Sequence, residues 1–324
     1  MKISVIIPIC NSEKYLSQCL DSVLCQNIGD MEIICVDDHS SDSSPNILEA
    51  YGKKDPRITV IRNNANLHAG VCRNIGLEKA KGEYVLFLDA DDMLFKGAPE
   101  KVYETARRHN ADIVRCKAED LDDVTGQSSR TPHNSLKKVP AFLFDRALKY
   151  ESCYRIFSKI CVAPWGGLFR RNFLIERGIR FNSLICVNDR SFYWESILKA
   201  KTVVFSGTFL VNYRTNINTS LVGRRIKNFS CHFKSYGLVD KISSAMPLKM
   251  RRNILDAEMF DMAHWLEKSA ETEYFDDIVQ MMSEFLRSTD KTVWNNIGRC
   301  GWYKRIAPLI ENPQSTVPAA KRRI

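Results

Sequence analysis

The segment that most constrains this chain is Tyr84-Val85-Leu86-Phe87-Leu88, followed without a break by Asp89-Ala90-Asp91-Asp92. Five consecutive apolar residues read as a strand covered on both faces, the condition of a central strand in a parallel sheet. The three carboxylates that follow repel one another, so something cationic must face them. A divalent ion does this directly. Hard cations take oxygen ligands, and Mg²⁺ uses one or two carboxylates while phosphates fill other positions. An isolated Asp-x-Asp triplet is more often an exposed loop; its place at the end of a buried strand is what gives it weight.

The first 116 residues repeat this strand-then-helix rhythm. Ile3 to Ile7 is a compact apolar run ending at Pro8. Tyr15, Leu16, Cys19, Leu20, Val23 and Leu24 fall at helical spacing across 12–25, with Asn11 as the expected N-cap. Glu32 to Val36 reads as a strand, Ser44-Pro45 opens a helix, and Ile58 to Ile61 is a short strand. Residues 69–80 and Pro99 to His109 read as helices, and Asp112 to Cys116 as a further strand. Such alternation predicts an α/β chain with a doubly wound, mostly parallel sheet. Ligands bind such sheets outside the carboxyl ends of the strands. Asp37-Asp38 and Asp89 to Asp92 each directly follow an apolar strand, so both land on one rim.

Asp37-Asp38-His39-Ser40-Ser41-Asp42 has two readings. A carboxylate there can accept from a base edge or a ribose hydroxyl; Asp and Ser also favour turns and caps. Arg73 lies near the start of the 69–80 helix and suits a diphosphate by bidentate contact. His68 is a donor candidate, although a lone His is more often structural.

Beyond residue 118 the pattern weakens. Residues 119–138 are polar with little periodicity and read as a loop or irregular insertion. Residues 139–225 look mixed, with short strands at Thr202 to Phe205 and Phe209 to Tyr213. From 226 the spacing is helical. Met259, Phe260, Met262, Ala263 and Leu266 form one face, and Ile278, Met281, Met282 and Phe285 another; helix packing explains these faces better than a ligand box. The expected division is 1–118, 119–225 and a C-terminal helical region, 226–324. The length of 324 residues also suits two domains, or one with an appendage.

Composition excludes several classes. No apolar run approaches the ~18–20 residues of a membrane span. The opening Met1 to Pro8 is too short and interrupted for a secretory signal and reads as a strand. The eleven cysteines include no Cys-x-x-Cys pair, so buried thiols in a reducing compartment are expected in preference to a thiolate metal site. Net charge is +9, with clusters at Arg170-Arg171, Arg224-Arg225, Lys249 to Arg252 and Lys321 to Arg323. This suits phosphorylated donors, acidic glycans or an anionic membrane surface. No nucleic-acid-binding signature is present. A nucleotidyltransferase would want a Gly-rich, Lys-containing loop after the first strand, and Pro8-Ile9-Cys10-Asn11 offers none. Trp265, Trp294 and Trp302 with nearby basic residues fit either a membrane surface or packing.

Four segments occur in order: Ser4-Val5-Ile6-Ile7-Pro8-Ile9-Cys10-Asn11, Val36-Asp37-Asp38-His39-Ser40-Ser41-Asp42, Ala69-Gly70-Val71-Cys72-Arg73-Asn74-Ile75-Gly76, and Lys81 to Asp92. Together they resemble family 2 glycosyltransferases of the GT-A fold, of the bacterial surface-polysaccharide type. The likeness covers residues 1 to about 120, continues more weakly through Pro164-Trp165-Gly166-Gly167-Leu168-Phe169-Arg170-Arg171 to about Leu221, and reaches nothing after about 226. It implies a GT-A-like fold and an inverting, metal-dependent glycosyltransferase. The donor would be a UDP-linked or similar nucleotide sugar, the metal Mn²⁺ or Mg²⁺, and the acceptor a glycan or lipid-linked glycan. The location would be cytoplasmic or peripheral on the inner face of the cytoplasmic membrane. By motif, Pro8, Asp38 and Arg73 would lie at the nucleoside pocket. Asp89 and Asp91 would form the Asp-x-Asp element, with Asp91 the direct metal ligand, and Asp92 would face the donor sugar or the metal's surroundings. Asp189 would be the catalytic base. The family's Glu-Asp pair reads Asn188-Asp189 here, Cys10 stands where Tyr is common, His39 where Gly or Asn is common, and Gly167 where Lys is common. The alternative is a non-catalytic nucleotide-sugar-binding subunit of a polysaccharide synthase.

Overall fold

The computed structural model describes residues 1–129, 135–217, 221–290, 292–294 and 297–311. They group into two compact units, Met1–Leu184 with Asn188–Asn218, and Ile185–Val187 with Thr219–Ile324. The first unit begins β1 (Ile3–Ile9), α1 (Leu16–Leu24), β2 (Met31–Asp37), α2 (Ser44–Lys54), β3 (Ile58–Arg62), α3 (His68–Lys79) and β4 (Tyr84–Phe87). It continues β5 (Met93–Leu94), α4 (Ala98–Arg108), β6 (Ile113–Asp122), β7 (Ser128–Ser129), α5 (Tyr150–Phe157), β8 (Gly167–Arg170), α6 (Arg171–Glu176), α7 (Asp189–Lys199) and β9 (Val203–Thr215). The second unit holds α8 (Leu221–Lys227), α9 (Ser230–Ser243), α10 (Leu248–Ser269), α11 (Phe275–Ser288) and α12 (Gly301–Glu311).

The sheet order is β3-β2-β1-β4-β8-β6-β9-β5, with β7 paired to β6. The longer ladders, β1 with β2, β2 with β3 and β6 with β9, are parallel. The pairings with β8, β5 and β7 are short and antiparallel. Among the described strands, β1, β2, β3, β4, β6 and β9 therefore run one way, and their carboxyl ends share a rim. Chain order reverses between β1 and β4, the crevice where such sheets bind ligands. Every residue of β1, β2 and β4 is buried. Helices cover both faces: Leu16, Cys19, Leu20 and Val23 of α1 and Val102 and Ala106 of α4 pack on one face with Ile3, Val5 and Leu86, while Gly76 of α3 lies against Ile6 and Phe192 of α7 meets Phe87 on the other. Each such large apolar side chain contributes roughly 1.5–3 kcal/mol on burial.

Several expectations change. Asn11 does not cap α1. Tyr15 occupies that position without a side-chain cap, while Asn11 sits at φ 52° and accepts the Ser41 N–H at 2.8 Å. The polar stretch from 119 is strand as far as Asp122, paired with β9 through Thr215. Its polarity belongs to a strand end at the rim. Residues 130–134 lie outside the described set. The two short strands expected over 202–213 are one element, β9, with register shifts where it pairs with β6. Met259, Met262, Ala263 and Leu266 are buried as helix packing demands, but Phe260 is exposed.

The tryptophans turn inward. Trp265, Trp294 and Trp302 are buried; the indole N–H of Trp294 donates to Tyr236 and that of Trp302 to Asp256. These three side chains therefore offer no membrane anchor, because their apolar faces are already covered. No described helix is long and apolar enough to cross a membrane. None of the eleven cysteines is in a disulfide, and most are buried. The basic cluster at Lys321 to Arg323 lies outside the described residues.

Candidate active site

Pro8 is buried on β1 beside Val36. Asp38, just past β2 and buried, takes three N–H donors: the Asn63 amide and the Leu67 backbone on one oxygen, each at 2.8 Å, and the His68 backbone on the other at 2.7 Å. It anchors the start of α3, where backbone donors are otherwise unsatisfied. The cap reading of this segment therefore holds, and the three bonds use both lone pairs of one oxygen and one of the other, leaving a single acceptor site on the oxygen that His68 meets. His68 acts through its backbone at φ 69°.

Five residues along the same helix, about 8 Å of rise, stands Arg73. It is 5% exposed. Its Nη2 donates to Asp89 at 2.5 Å and its Nη1 to the side-chain amide oxygen Oδ1 of Asn188 at 3.1 Å. The guanidinium also lies over the Phe181 ring at 5.3 Å. Arg73 thus joins the acidic loop after β4 to the residue preceding Asp189.

Aromatic packing holds the same pieces together. Phe181 stacks on Phe192 of α7 with centroids 3.8 Å apart, and Phe87 of β4 meets both edge-on. Gly70 permits the approach, since a Cβ there would lie 2.3 Å from the Asn182 carbonyl oxygen and 3.0 Å from the Asn188 Cβ. Asp189 is the first residue of α7 and partly exposed. Val187, two residues earlier, has φ 60°, a strained setting for a β-branched residue and a kind found at functional sites.

The acidic loop is electrostatically loaded. Burial, and then the charge of Asp89, push the Asp91 carboxyl up from 3.8 to about 6. Asp92 is 1% exposed and is pushed further up by burial and by Asp91 and Asp89. Its Oδ1 accepts the Arg214 N–H at 2.8 Å, but its buried Oδ2 has no hydrogen-bond partner among the described residues. Buried carboxylates this short of compensation fit a hard cation. Among the described residues no three His, Cys, Asp or Glu side chains form a cage of their own. The remaining ligands would have to come from a phosphorylated substrate.

Sequence reasoning missed Arg214, near the end of β9. Its Nε donates to the Asp91 carbonyl at 2.9 Å, its Nη1 to Asp123 at 2.9 Å and its Nη2 to Gln18 at 2.7 Å, and it lies over the Tyr15 ring at 4.5 Å. Lys14 and Tyr15 also donate to Asp123, and these contacts hold its carboxyl down at about 2. The missed signal was a charged residue directly after the strand read at Phe209 to Tyr213, the same rule that singled out Asp89.

The glycosyl transferase family 2 model matches residues 4–177, more than half of the chain. The chain belongs to glycosyl transferase family 2. It is 34% identical over 255 residues to a poly(ribitol-phosphate) beta-glucosyltransferase of Bacillus spizizenii, a match covering 76% of this chain and 37% of that protein. It spans 37% to 62% of the length of three curated relatives that it matches. The crystal structure of S. aureus TarS 1-349 in complex with UDP-GlcNAc superposes with a TM-score of 0.68 at 22% identity, covering 90% of this chain and 83% of that one. The mannosyltransferase PcManGT from Pyrobaculum calidifontis, in complex with GDP-Man and Mn²⁺, gives 0.56 at 14% identity, covering 97% and 88%. The GT-A-like α/β fold with a helical C-terminal region is therefore shown.

The departures from the usual family 2 pattern now have physical accounts. His39 sits at φ 60°, which explains why Gly or Asn is common there. Cys10 accepts from the Asn66 amide. Gly167 is extended in β8, and a Cβ would stand 2.0 Å from the Val114 carbonyl oxygen, so this chain admits no side chain there. Asn188 takes the Arg73 hydrogen bond with a neutral oxygen where the family has a carboxylate.

Proposed function

We propose that this protein transfers a sugar from a nucleoside-diphosphate sugar, UDP-linked, to a hydroxyl of a glycan or lipid-linked glycan, with inversion and Asp189 as base, at the inner face of the cytoplasmic membrane. The observation that carries this reading is the Arg73 bridge. One guanidinium ties Asp89 to Asn188, which brings the acidic loop after β4 beside the residue that precedes α7. The names of the relatives, which act on polyol-phosphate polymers or are seen with UDP-GlcNAc, support the donor class and a polymeric acceptor.

The roles follow from position. Pro8 and the capped Asp38 would line the nucleoside end. Arg73 would meet negative charge on the diphosphate. Asp91 and Asp89 would hold a divalent ion, Mn²⁺ or Mg²⁺, with Asp92 beside them. Mn²⁺ is present in the mannosyltransferase of similar fold. When bound, such an ion offsets charge on the departing diphosphate. Asp189 would take the acceptor proton. A carboxylate is a far weaker base than a sugar alkoxide, so the proton moves late, as the new glycosidic bond forms. Reach matters more than basicity for that step.

Asp189→Asn should abolish transfer while nucleotide and metal binding, followed by calorimetry, stay near the parent value; unchanged turnover rejects the base. Asp91→Ala should remove the metal dependence of donor binding, and persistence of that dependence rejects the ligand role. A thermal-shift series over nucleotide sugars with Mn²⁺ identifies the donor.

A further inference from the structure

A cavity of about 520 Å³ in the first unit is lined by Lys117 of β6, Gly207 and Phe209 of β9, and Leu136, Lys137 and Phe144 of the segment covering them. The Lys117 ammonium faces two rings, Phe144 at 5.3 Å and Phe209 at 5.5 Å. Ring faces attract a cation without neutralising it, and no carboxylate among the described residues pairs with Lys117. The cavity therefore presents positive charge set in an apolar wall.

Its rim has a matching character. Over 137–142 the exposed residues are Lys137, Lys138, Pro140, Ala141 and Phe142. Phe142 is 65% exposed. It belongs to a short 3₁₀ turn, Ala141–Leu143, whose other large apolar neighbour, Phe144, lines the cavity. An aromatic tip flanked by lysines, above a cationic and apolar recess, has the two components of interfacial binding: apolar area for the acyl boundary and charge for anionic headgroups. The tryptophans of the second unit, by contrast, are covered.

We propose that the 136–144 segment, with Lys117 and Phe209, is a docking site for the phosphate headgroup of an anionic phospholipid at a bilayer surface, with Phe142 entering the interface. Charge complementarity decides between occupants. An apolar partner protein would leave Lys117 buried without a counter-charge, whereas a phosphodiester joined to acyl chains satisfies both halves of the site. The assignment deepens the membrane-surface part of the transferase reading and needs none of its chemistry, so vesicle binding and transfer to a soluble acceptor can fail separately.

The test is co-sedimentation of the full chain with vesicles of phosphatidylcholine alone and of phosphatidylcholine mixed with phosphatidylglycerol, at low salt. Binding is expected to the mixed vesicles only. Phe142→Ser should weaken it about tenfold, through loss of an aromatic side chain from the apolar boundary. Lys117→Gln should weaken it roughly fivefold, the worth of one lysine near an anionic surface. Lys249→Gln, an equal charge change on the exposed start of α10, should leave it unchanged. Inorganic phosphate at matched ionic strength should not displace the protein from vesicles. Equal losses in Lys117→Gln and Lys249→Gln would reduce the effect to net charge and overturn the site. Displacement by inorganic phosphate would overturn the lipid source. Absence of vesicle binding, with Phe142→Ser converting a dimer to a monomer in sedimentation velocity, would make the surface a contact between two copies and overturn the proposal.

Discussion

Asp91 should be a residue that the fold is better off without. Its carboxyl is pushed from 3.8 to about 6, by burial first and by Asp89 second. A carboxyl that holds its proton more tightly folded than unfolded favours the fold at low pH, and that advantage is lost as pH rises through about 6. Each tenfold change in proton affinity is about 1.4 kcal/mol, so ionised Asp91 costs the ligand-free protein about 3 kcal/mol at neutral pH. Asp91→Asn keeps the shape and removes the charge. In chelator and without nucleotide, it should raise the melting temperature at pH 8 by about 5–10 °C, the shift expected for that energy in a unit of this size. At pH 5 the folded carboxyl is mostly protonated while the unfolded one is not, so about half of the gain should remain. Differential scanning fluorimetry of both proteins at the two pH values reads this, because titrating groups remote from the acidic loop cancel in the difference and Asp92, which the Asp91 charge pushes up, is relieved in the same direction. Mn²⁺ with UDP should stabilise the parent and not the variant. A variant that melts no higher at pH 8, or whose gain is the same at both pH values, would refute the electrostatic account of the acidic loop.

Other substitutions test the supports of the site. Gly167→Ala drives a methyl group against the Val114 carbonyl oxygen; a loss of at least about 3 kcal/mol in urea unfolding is expected, at the upper end for overpacking, and an unchanged midpoint would contradict the β8–β6 packing. Arg214→Met removes a buried guanidinium that ties Asp123, Gln18 and the Asp91 carbonyl together; a lower midpoint is expected in the same assay, with Arg214→Lys recovering only part, and an unchanged midpoint would contradict the tie. Asn188→Glu restores the family's carboxylate opposite Arg73. Unfolding should stay within about 1 kcal/mol of the parent, because a guanidinium already waits there, and a collapse in stability would show that Arg73 is not the counter-charge at this position.

The first 116 residues were legible because their signals are local. Apolar runs such as 84–88 and helical spacing such as 16–24 depend on neighbours in sequence, and the rule placing ligands at strand ends then located Asp38 and Asp89 to Asp92 on one rim. The Arg214 cluster was not legible in the same way. Its partners Asp92 and Asp123 lie 122 and 91 residues away, and the polarity that made 119–123 look like a loop is the polarity of a strand end at the site. Asn11 failed as a cap because a left-handed backbone turns it toward Ser41. The tryptophans stay ambiguous in the sequence because aromatic residues beside basic ones describe two surfaces equally well. Only the positions of Tyr236 and Asp256, which receive the indole N–H groups, tell a covered helix face from a membrane-facing one.

Helix α3 acts as a ruler. Its capped end and its arginine are separated by rigid backbone, so the interval between them is dictated by the pitch of a helix and not by any adjustable loop. Inserting a single residue within its first turn would swing the guanidinium by about 100°, detaching it from Asp89 and Asn188 together while Asp38 kept its grip. The tolerance of this chain to length changes should therefore be lowest in the stretch 69–72, which carries none of the acids.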